Sequence, residues 1–437
     1  MVKNETITLK NCTLEQFGEA VSRGSGYSHE SVWIRKYFGE QKFCVVEECV
    51  SKYNHSVLQY SMRDYFEKTL GFSKILETAY EDGNEIAVTF ENLEVAPKKF
   101  VKIYKTAFVL YEDKNHQKYG VSAAVYSREM IYRIYTPIDK QDTFSNWMVF
   151  ANEHNFYKGK KIDADGTFLE LNDVSWNDII LDETTLSVVK GHVTEIFQFS
   201  EYLRANKLPI KRGIILAGPP GTGKTMLVKA LINETDSTII YALPTQLQRP
   251  IDIQRVCDMA KSLSPCMLII EDIDWIAEDR SESQNAGSVI QLMNYLDGVQ
   301  EFSDIVTLAT TNNEDKIEDA IKNRPGRFDR VITIPKPNKE GRAKMFARFT
   351  KDFIIENVDV NKFVADTDGM SGAHVKDVCI TAALNAIRAM SLKEKIAVVK
   401  QSHFNTAIKE IANVDYSTAQ KTQRNTKRKM GFNMDDF

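Results

Sequence analysis

The sequence predicts an α/β protein in which a P-loop module built on a parallel sheet follows an α+β N-terminal domain. Three observations carry this. The apolar run Ile214-Ile215-Leu216-Ala217 leads through a glycine-rich loop, Gly218 to Thr225, into a helical stretch where Leu227, Ala230 and Leu231 share a face. Five consecutive apolar residues, Cys266 to Ile270, end in the carboxylates Glu271 and Asp272, as a strand buried on both faces would. Strong β-formers alternate at period two between Ile86 and Tyr135, interrupted by Asp82-Gly83-Asn84 and Asp113-Lys114-Asn115, which reads as an antiparallel meander.

A chain of 437 residues has room for two or three domains and can bury its cores without disulfides. The net charge of −4 gives no global electrostatic reason for nucleic-acid binding, leaving only a local basic patch for that role. Cys12, Cys44, Cys49, Cys257, Cys266 and Cys379 are scattered without a C-x-x-C pair, so we read them as buried thiols in a reducing compartment, not as disulfides or zinc ligands. No run of about 18 apolar residues appears, and Met1 to Glu5 lacks a signal-peptide core. The expectation is a soluble, cytoplasmic protein with no membrane span.

Residues 1–170 are expected to form the α+β domain and a linker. Helical stretches lie near Val32 to Phe38 and Val57 to Leu70. Strands follow at Ile86 to Phe90, Val101 to Tyr111, Val121 to Val125 and Met130 to Tyr135. His29, His55, His116 and His154 are too dispersed to suggest a metal site. Trp147, Phe150 and Phe156 suggest a short packed helix, and Val189, Val193, Ile196 and Phe197 fall on one face of another that stops before Pro209.

The chemistry gathers after residue 171. Glycines remove the Cβ atoms that would keep backbone N–H groups away from a polyphosphate, and the following helix start presents its positive dipole end. Pro220, Gly221, Thr222, Gly223, Lys224, Thr225 and Met226 are therefore the expected phosphate-contacting run. Lys224 brings a point charge to the outer phosphates, and Thr225 a hydroxyl to Mg²⁺. Strands at Ser237 to Ala242 and Cys266 to Ile270 flank a helix from Ile253 to Leu263. At the second strand's end, one acid can orient a hydrated Mg²⁺ while its neighbour accepts a proton from attacking water. Val289, Leu292, Met293 and Leu296 share a helix face. The strand Ile305 to Ala309 then runs into Thr311-Asn312, whose amide could hold water or be a plain turn residue. Arg324 to Arg330 places three arginines around a Pro-Gly turn, equally readable as surface charge.

Together and in this order, these residues resemble the classical AAA branch of the AAA+ ATPases from about Val174 to Ala412. The resemblance implies a parallel five-stranded sheet flanked by helices (171–335), a small helical lid (336–415) and a homo-oligomeric ring, a hexamer or alternatively a heptamer, that hydrolyses ATP with Mg²⁺. It further implies that Asp178 and Ile179 contact adenine, that Asn312 is the first sensor, and that Arg324 and Arg327 are arginine fingers. Gly372 and Ala373 would lie against base and ribose; His374 stands where the family more often has an acid and receives no role.

Two features depart from that pattern. The acid pair runs Glu271-Asp272, an order similar to that of the mitochondrial Rieske-protein translocase branch, which gives Glu271 the metal role and the shorter Asp272 the base role. Thr245-Gln246-Leu247 stands where threading unfoldases carry an aromatic pore residue, unless Tyr241 or Leu243 is displaced toward the pore. This favours remodelling, disassembly or movement of a protein held by the N-terminal domain over hand-over-hand threading. A nucleic-acid loader and a nucleotide-gated scaffold with little turnover are the alternatives. Residues 416–437 are too polar to build a core, and the expectation is a disordered tail, with an aromatic docking peptide at its tip as the other reading.

Overall fold

The computed structural model describes residues 8–9, 36–39, 41, 43–81, 84–126, 129–171, 173–208, 212–274, 304–313, 328, 330–390 and 397–412. The N-terminal part contains β1 (Thr8–Leu9), β2 (Phe43–Val50), β3 (Ser73–Glu81), β4 (Asn84–Ile86), β5 (Thr89–Ala96), β6 (Lys99–Glu112), β7 (Lys118–Tyr126) and β8 (Glu129–Pro137). They form an eight-stranded sheet in the order β1-β2-β8-β7-β6-β3-β4, with β5 paired to β6 beside this path. Every pairing in it is antiparallel. Strands β2 and β3 lie where the sequence reading names no element, because Glu47-Glu48 and Glu77 break the alternation that marks the other strands.

Helix α1 (Lys52–Arg63), capped by the Ser51 hydroxyl, runs on through a π turn, Asp64–Thr69. It packs with α2 (Thr143–Glu153) over the sheet. Trp147 of α2 is fully buried, edge-on to Phe66 at 5.3 Å and to Tyr132 at 5.8 Å, and its indole N–H donates to Ser61 Oγ. A large aromatic can sit this deep because its one polar atom has a partner.

The second sheet is parallel throughout. Its strands are β9 (Lys161–Asp163), β10 (Arg212–Ala217), β11 (Thr238–Ala242), β12 (Cys266–Ile270), β13 (Ile305–Thr311) and β14 (Arg330–Thr333), in the order β14-β10-β13-β12-β11-β9. Among the described residues the sheet thus has six strands, not the expected five. The extra edge strand β9 comes from the stretch read as N-terminal domain and linker; three residues, Lys-Ile-Asp, are too short to show a period. Helices α3 (Lys224–Glu234) and α4 (Pro250–Ser262) complete the described crossovers.

One face of this sheet packs on α3 and on the helical run 183–205 through Val189, Val193, Ile196, Leu227 and Leu231. The other face does not end in solvent. Ile240, Ala242, Leu268, Ile270 and the apolar side of α4 belong to one core with Tyr53, Tyr157, Ile162, Phe168 and the interior of the N-terminal sheet. Tyr53 fastens the junction, hydrogen-bonded to Ser262 Oγ at 2.7 Å and to Asn155 Nδ2 at 2.6 Å.

The C-terminal part comprises α5 (Lys339–Phe349), β15 (Ile354–Glu356), α6 (Val360–Asp366), α7 (Gly372–Arg388), β16 (Val398–Lys400) and α8 (Gln401–Ala412), with β15 and β16 paired. Phe346, Phe363 and Phe404 meet at its centre. The expected helix at 289–296 and the tail at 416–437 lie outside the described residues, and no helix among those described is long and apolar enough to cross a membrane.

Candidate nucleotide site

The tips of β10, β13 and β12 bring three of the expected site residues into one hydrogen-bonded chain. Lys224, on the first turn of α3, donates from Nζ to Gly218 O (2.7 Å), Pro219 O (3.1 Å) and Asn312 Oδ1 (2.8 Å). Asn312 in turn donates from Nδ2 to Asp272 Oδ1 at 3.1 Å. An ammonium with its three donors all satisfied is held in place over the loop. Burial lowers the pKa of Lys224, opposed by Asp272, Asp274 and Glu271.

The acids are fixed by neighbours that the motif alone does not name. Asp272 adopts φ of 46°, the left-handed region, and its N–H donates to Thr310 Oγ1 at 2.9 Å. Asp274 accepts from Thr311 Oγ1 at 3.0 Å and from the Asn312 N–H at 3.3 Å, which orients the asparagine. Burial raises the pKa of Asp272, and the adjacent Asp274 adds to the rise. Glu271 is buried, with its pKa raised mainly for that reason and further by the neighbouring Asp272. Its Oε1 has no hydrogen-bond partner among the described residues.

The loop itself depends on close approach. A Cβ on Gly218 would stand 2.3 Å from Ile334 O, so only glycine lets the loop cross the end of β14. Gly221, at φ of 77°, lies under the first turn of α7: its carbonyl accepts the Ala373 N–H at 3.0 Å, and a Cβ there would meet Ser371 Oγ at 2.7 Å. Gly372 and Ala373 are thus in contact with the loop. A Cβ on Gly223 would meet nothing within 4 Å, so the space beside the start of α3 is open. Thr222 turns its hydroxyl back to Pro219 O at 3.0 Å, and Met226 is exposed.

Asp178 belongs to a separate hydrogen-bonded group. Its Oδ2 accepts from the Ser175 N–H and hydroxyl, while Oδ1 accepts from Arg348 of α5 at 2.6 Å. The Ser175 backbone bond and then Arg348 lower its pKa to about 2. The carboxylate is therefore spoken for, and Ile179 is half-buried against the core beside α3. Nothing in the sequence marks Arg348, which is 170 positions away from its partner. His374 takes the place of the acid in a capping box, hydrogen-bonded through Nδ1 to Ser371 Oγ at 3.0 Å.

Residues 214–336 match the family described as ATPase family associated with various cellular activities (AAA). Similar chains include the proteasome-activating nucleotidase of Methanopyrus kandleri, 34% identical over 232 residues, which are 50% of this chain and 53% of that one. That of Archaeoglobus fulgidus is 36% identical over 213 residues, 46% and 52% of the two chains. Proteasome-activating nucleotidase 1 of Halobacterium salinarum is 37% identical over 189 residues, 40% and 46%. The chain spans about half the length of these curated relatives.

Arg324 and Arg327 fall within the stretch matched to the AAA domain but outside the described residues. The segment that sequence register placed at a pore is tied down. Gln246 Nε2 donates to Asp165 Oδ2 at 2.7 Å, just beyond β9, and Leu247 is buried in the core shared with the N-terminal sheet. Tyr241 is half-buried against the core beside α3, while Leu243 is exposed.

Proposed function

We propose that the chain is a Mg²⁺-dependent ATPase, working as a homo-oligomeric ring, a hexamer, that remodels, disassembles or moves a protein held by its N-terminal domain. The observation that carries this reading is the chain from Lys224 through Asn312 to Asp272 at the carboxyl ends of parallel strands, where such sheets bind ligands. On ATP binding, Lys224 exchanges the loop carbonyls for phosphate oxygens, and the open space at Gly223 admits the phosphates to the start of α3. Asn312 aligns the attacking water, and Asp272, its pKa raised toward a useful range, accepts the proton. Asp178 and Ile179 offer backbone to the adenine, with Gly372 and Ala373 closing over base and ribose.

The residues fit a divalent cation. Glu271 has one buried oxygen without a partner among the described residues, and Thr225, on the first turn of α3, offers its hydroxyl as a second oxygen ligand. Mg²⁺ held there supplies charge neutralisation across the outer phosphates.

The relatives' names point to proteins as the target and not to nucleic acid, in keeping with the net charge of −4. The anchoring of Gln246 and Leu247 favours remodelling by movement of whole domains over grip by a free pore loop. The scaffold reading draws on Asp272, which is short and already hydrogen-bonded to Asn312. Phosphate release by the full chain separates the two. Lys224→Ala should abolish nucleotide binding. Asp272→Asn should keep binding and lose at least about a hundredfold in turnover, the scale of a removed general base. Full turnover by Asp272→Asn would move the base to Glu271, and negligible turnover by the unaltered chain would favour the scaffold.

A further inference from the structure

The short turn Trp176–Asp178 and the residues after it lie on the seam between the parallel-sheet part and the C-terminal helical part. One set of contacts holds this segment to the sheet side. Trp176, Ile179 and Leu181 pack in the core beside α3, and Asn233 of α3 donates to Val174 O at 2.6 Å. Ile179 has extended backbone, φ −90° and ψ 120°, so the next side chain points the other way. Ile180 accordingly packs into the C-terminal core that holds Phe346 and Phe363. Packing across the seam is otherwise thin: an open cleft of about 350 Å³ is lined by Trp176, Asn177 and Ile180 from the turn and by Lys344 and Arg348 from α5. The tie that spans it is polar. Asp178 closes the turn through Oδ2, which accepts from Ser175, and gives Oδ1 to Arg348 at 2.6 Å, a charge-assisted bond between side chains only 25% and 36% exposed.

We propose that Arg348 is a positioning residue for nucleotide: its ion pair with Asp178 fastens α5 to the base-contacting turn, so that Gly372 and Ala373 are already seated over the phosphate loop when nucleotide arrives. This deepens the ATPase reading above, on which it rests. The second attachment is the Ala373 N–H on Gly221 O at 3.0 Å. A body held at both turn and loop has a fixed orientation, whereas one held only at the loop can pivot. Without the pair, the binding-competent arrangement is populated for less of the time, and apparent affinity falls by that fraction. Saturating nucleotide restores the arrangement, so turnover at saturation is spared.

Arg348→Gln in the full chain removes the charge and keeps most of the stem. Its affinity for fluorescent mant-ADP should weaken about fivefold, between the scale of an exposed ion pair and that of a charge-assisted bond. The KM for ATP should rise to match, while kcat stays within about twofold of the unaltered chain. Arg348→Lys keeps the charge without the fork and should recover part of the loss. Asp178→Asn can still accept from Ser175 but loses the ion pair. Combined with Arg348→Gln, it should bind mant-ADP no more than about twofold worse than the weaker single variant. A merely structural role would lower the thermal midpoint of Arg348→Gln and leave its affinity intact. Unchanged affinity in Arg348→Gln, or losses that multiply in the double variant, overturns the proposal. Failure of the unaltered chain to bind mant-ADP at all sinks the ATPase reading instead, a result distinct from a variant that binds as well as its parent.

Discussion

At the scale of single residues, the acid pair shows how local sequence and distant structure divide the work. Glu271 and Asp272 are legible because they end an apolar run beside a phosphate loop. Thr310 and Asn312, the groups that orient Asp272, come from the tip of another strand and gain meaning only once the sheet order is known. The Asp178–Arg348 pair is equally hidden, since nothing local to either residue marks the other.

His55 gives a prediction at this scale. It is fully buried on α1, with Nδ1 hydrogen-bonded to Tyr132 at 2.9 Å and Nε2 facing Glu91 at 3.6 Å. Burial lowers its pKa from 6.5 to about 4. The folded state therefore binds fewer protons than the unfolded state between these values. Its stability is full above pH 6.5 and falls as acid is added toward pH 4. At pH 5 the loss from this one group is roughly 2 kcal/mol. Comparing thermal midpoints at pH 7.5 and pH 5, His55→Gln should show a visibly smaller acid-induced drop than the unaltered chain.

Elements with a strong period are readable, and those without one are not. The strands β6, β7 and β8 and the helix α7 follow their apolar spacing. Strand β9 is three residues long and exists because β11 offers it an edge. Its placement matters for the segment Pro244–Gln246, since the turn after β9 supplies Asp165 to Gln246. Leu247→Ala should cost about 3 kcal/mol, the range for deleting a buried leucine side chain. Gln246→Ala, at a half-buried hydrogen bond, should cost about 1 kcal/mol. Chemical denaturation of both variants measures the difference. Equal, small effects would mean that the segment is looser than its burial indicates.

At the scale of the whole molecule, the P-loop and acids make the parallel-sheet module legible, but the joining of the N-terminal sheet to it is not. That joint is made by aromatic residues, Tyr53, Tyr157 and Phe168, whose partners are far apart in sequence. Assembly also belongs at this scale. If Arg324 and Arg327 act on a neighbour's ATP, Arg327→Ala should bind ATP normally yet turn over at least about a hundredfold more slowly. Mixing it with Lys224→Ala subunits should restore part of the activity by pairing intact half-sites. Absence of rescue at every mixing ratio would count against catalysis shared between subunits.

The continuous interior beneath both sheets has a practical consequence for dissection. A fragment starting at residue 171 would carry Ile240, Leu268 and Ile270 without Tyr53, Tyr157, Ile162 or Phe168 to cover them. Such a truncation should precipitate or stick to itself when expressed alone, and gentle protease treatment should leave the junction near Asn155 uncut while exposed loops are nicked. The N-terminal half would behave as a graft that cannot be trimmed away, not as a cargo module hung on a tether.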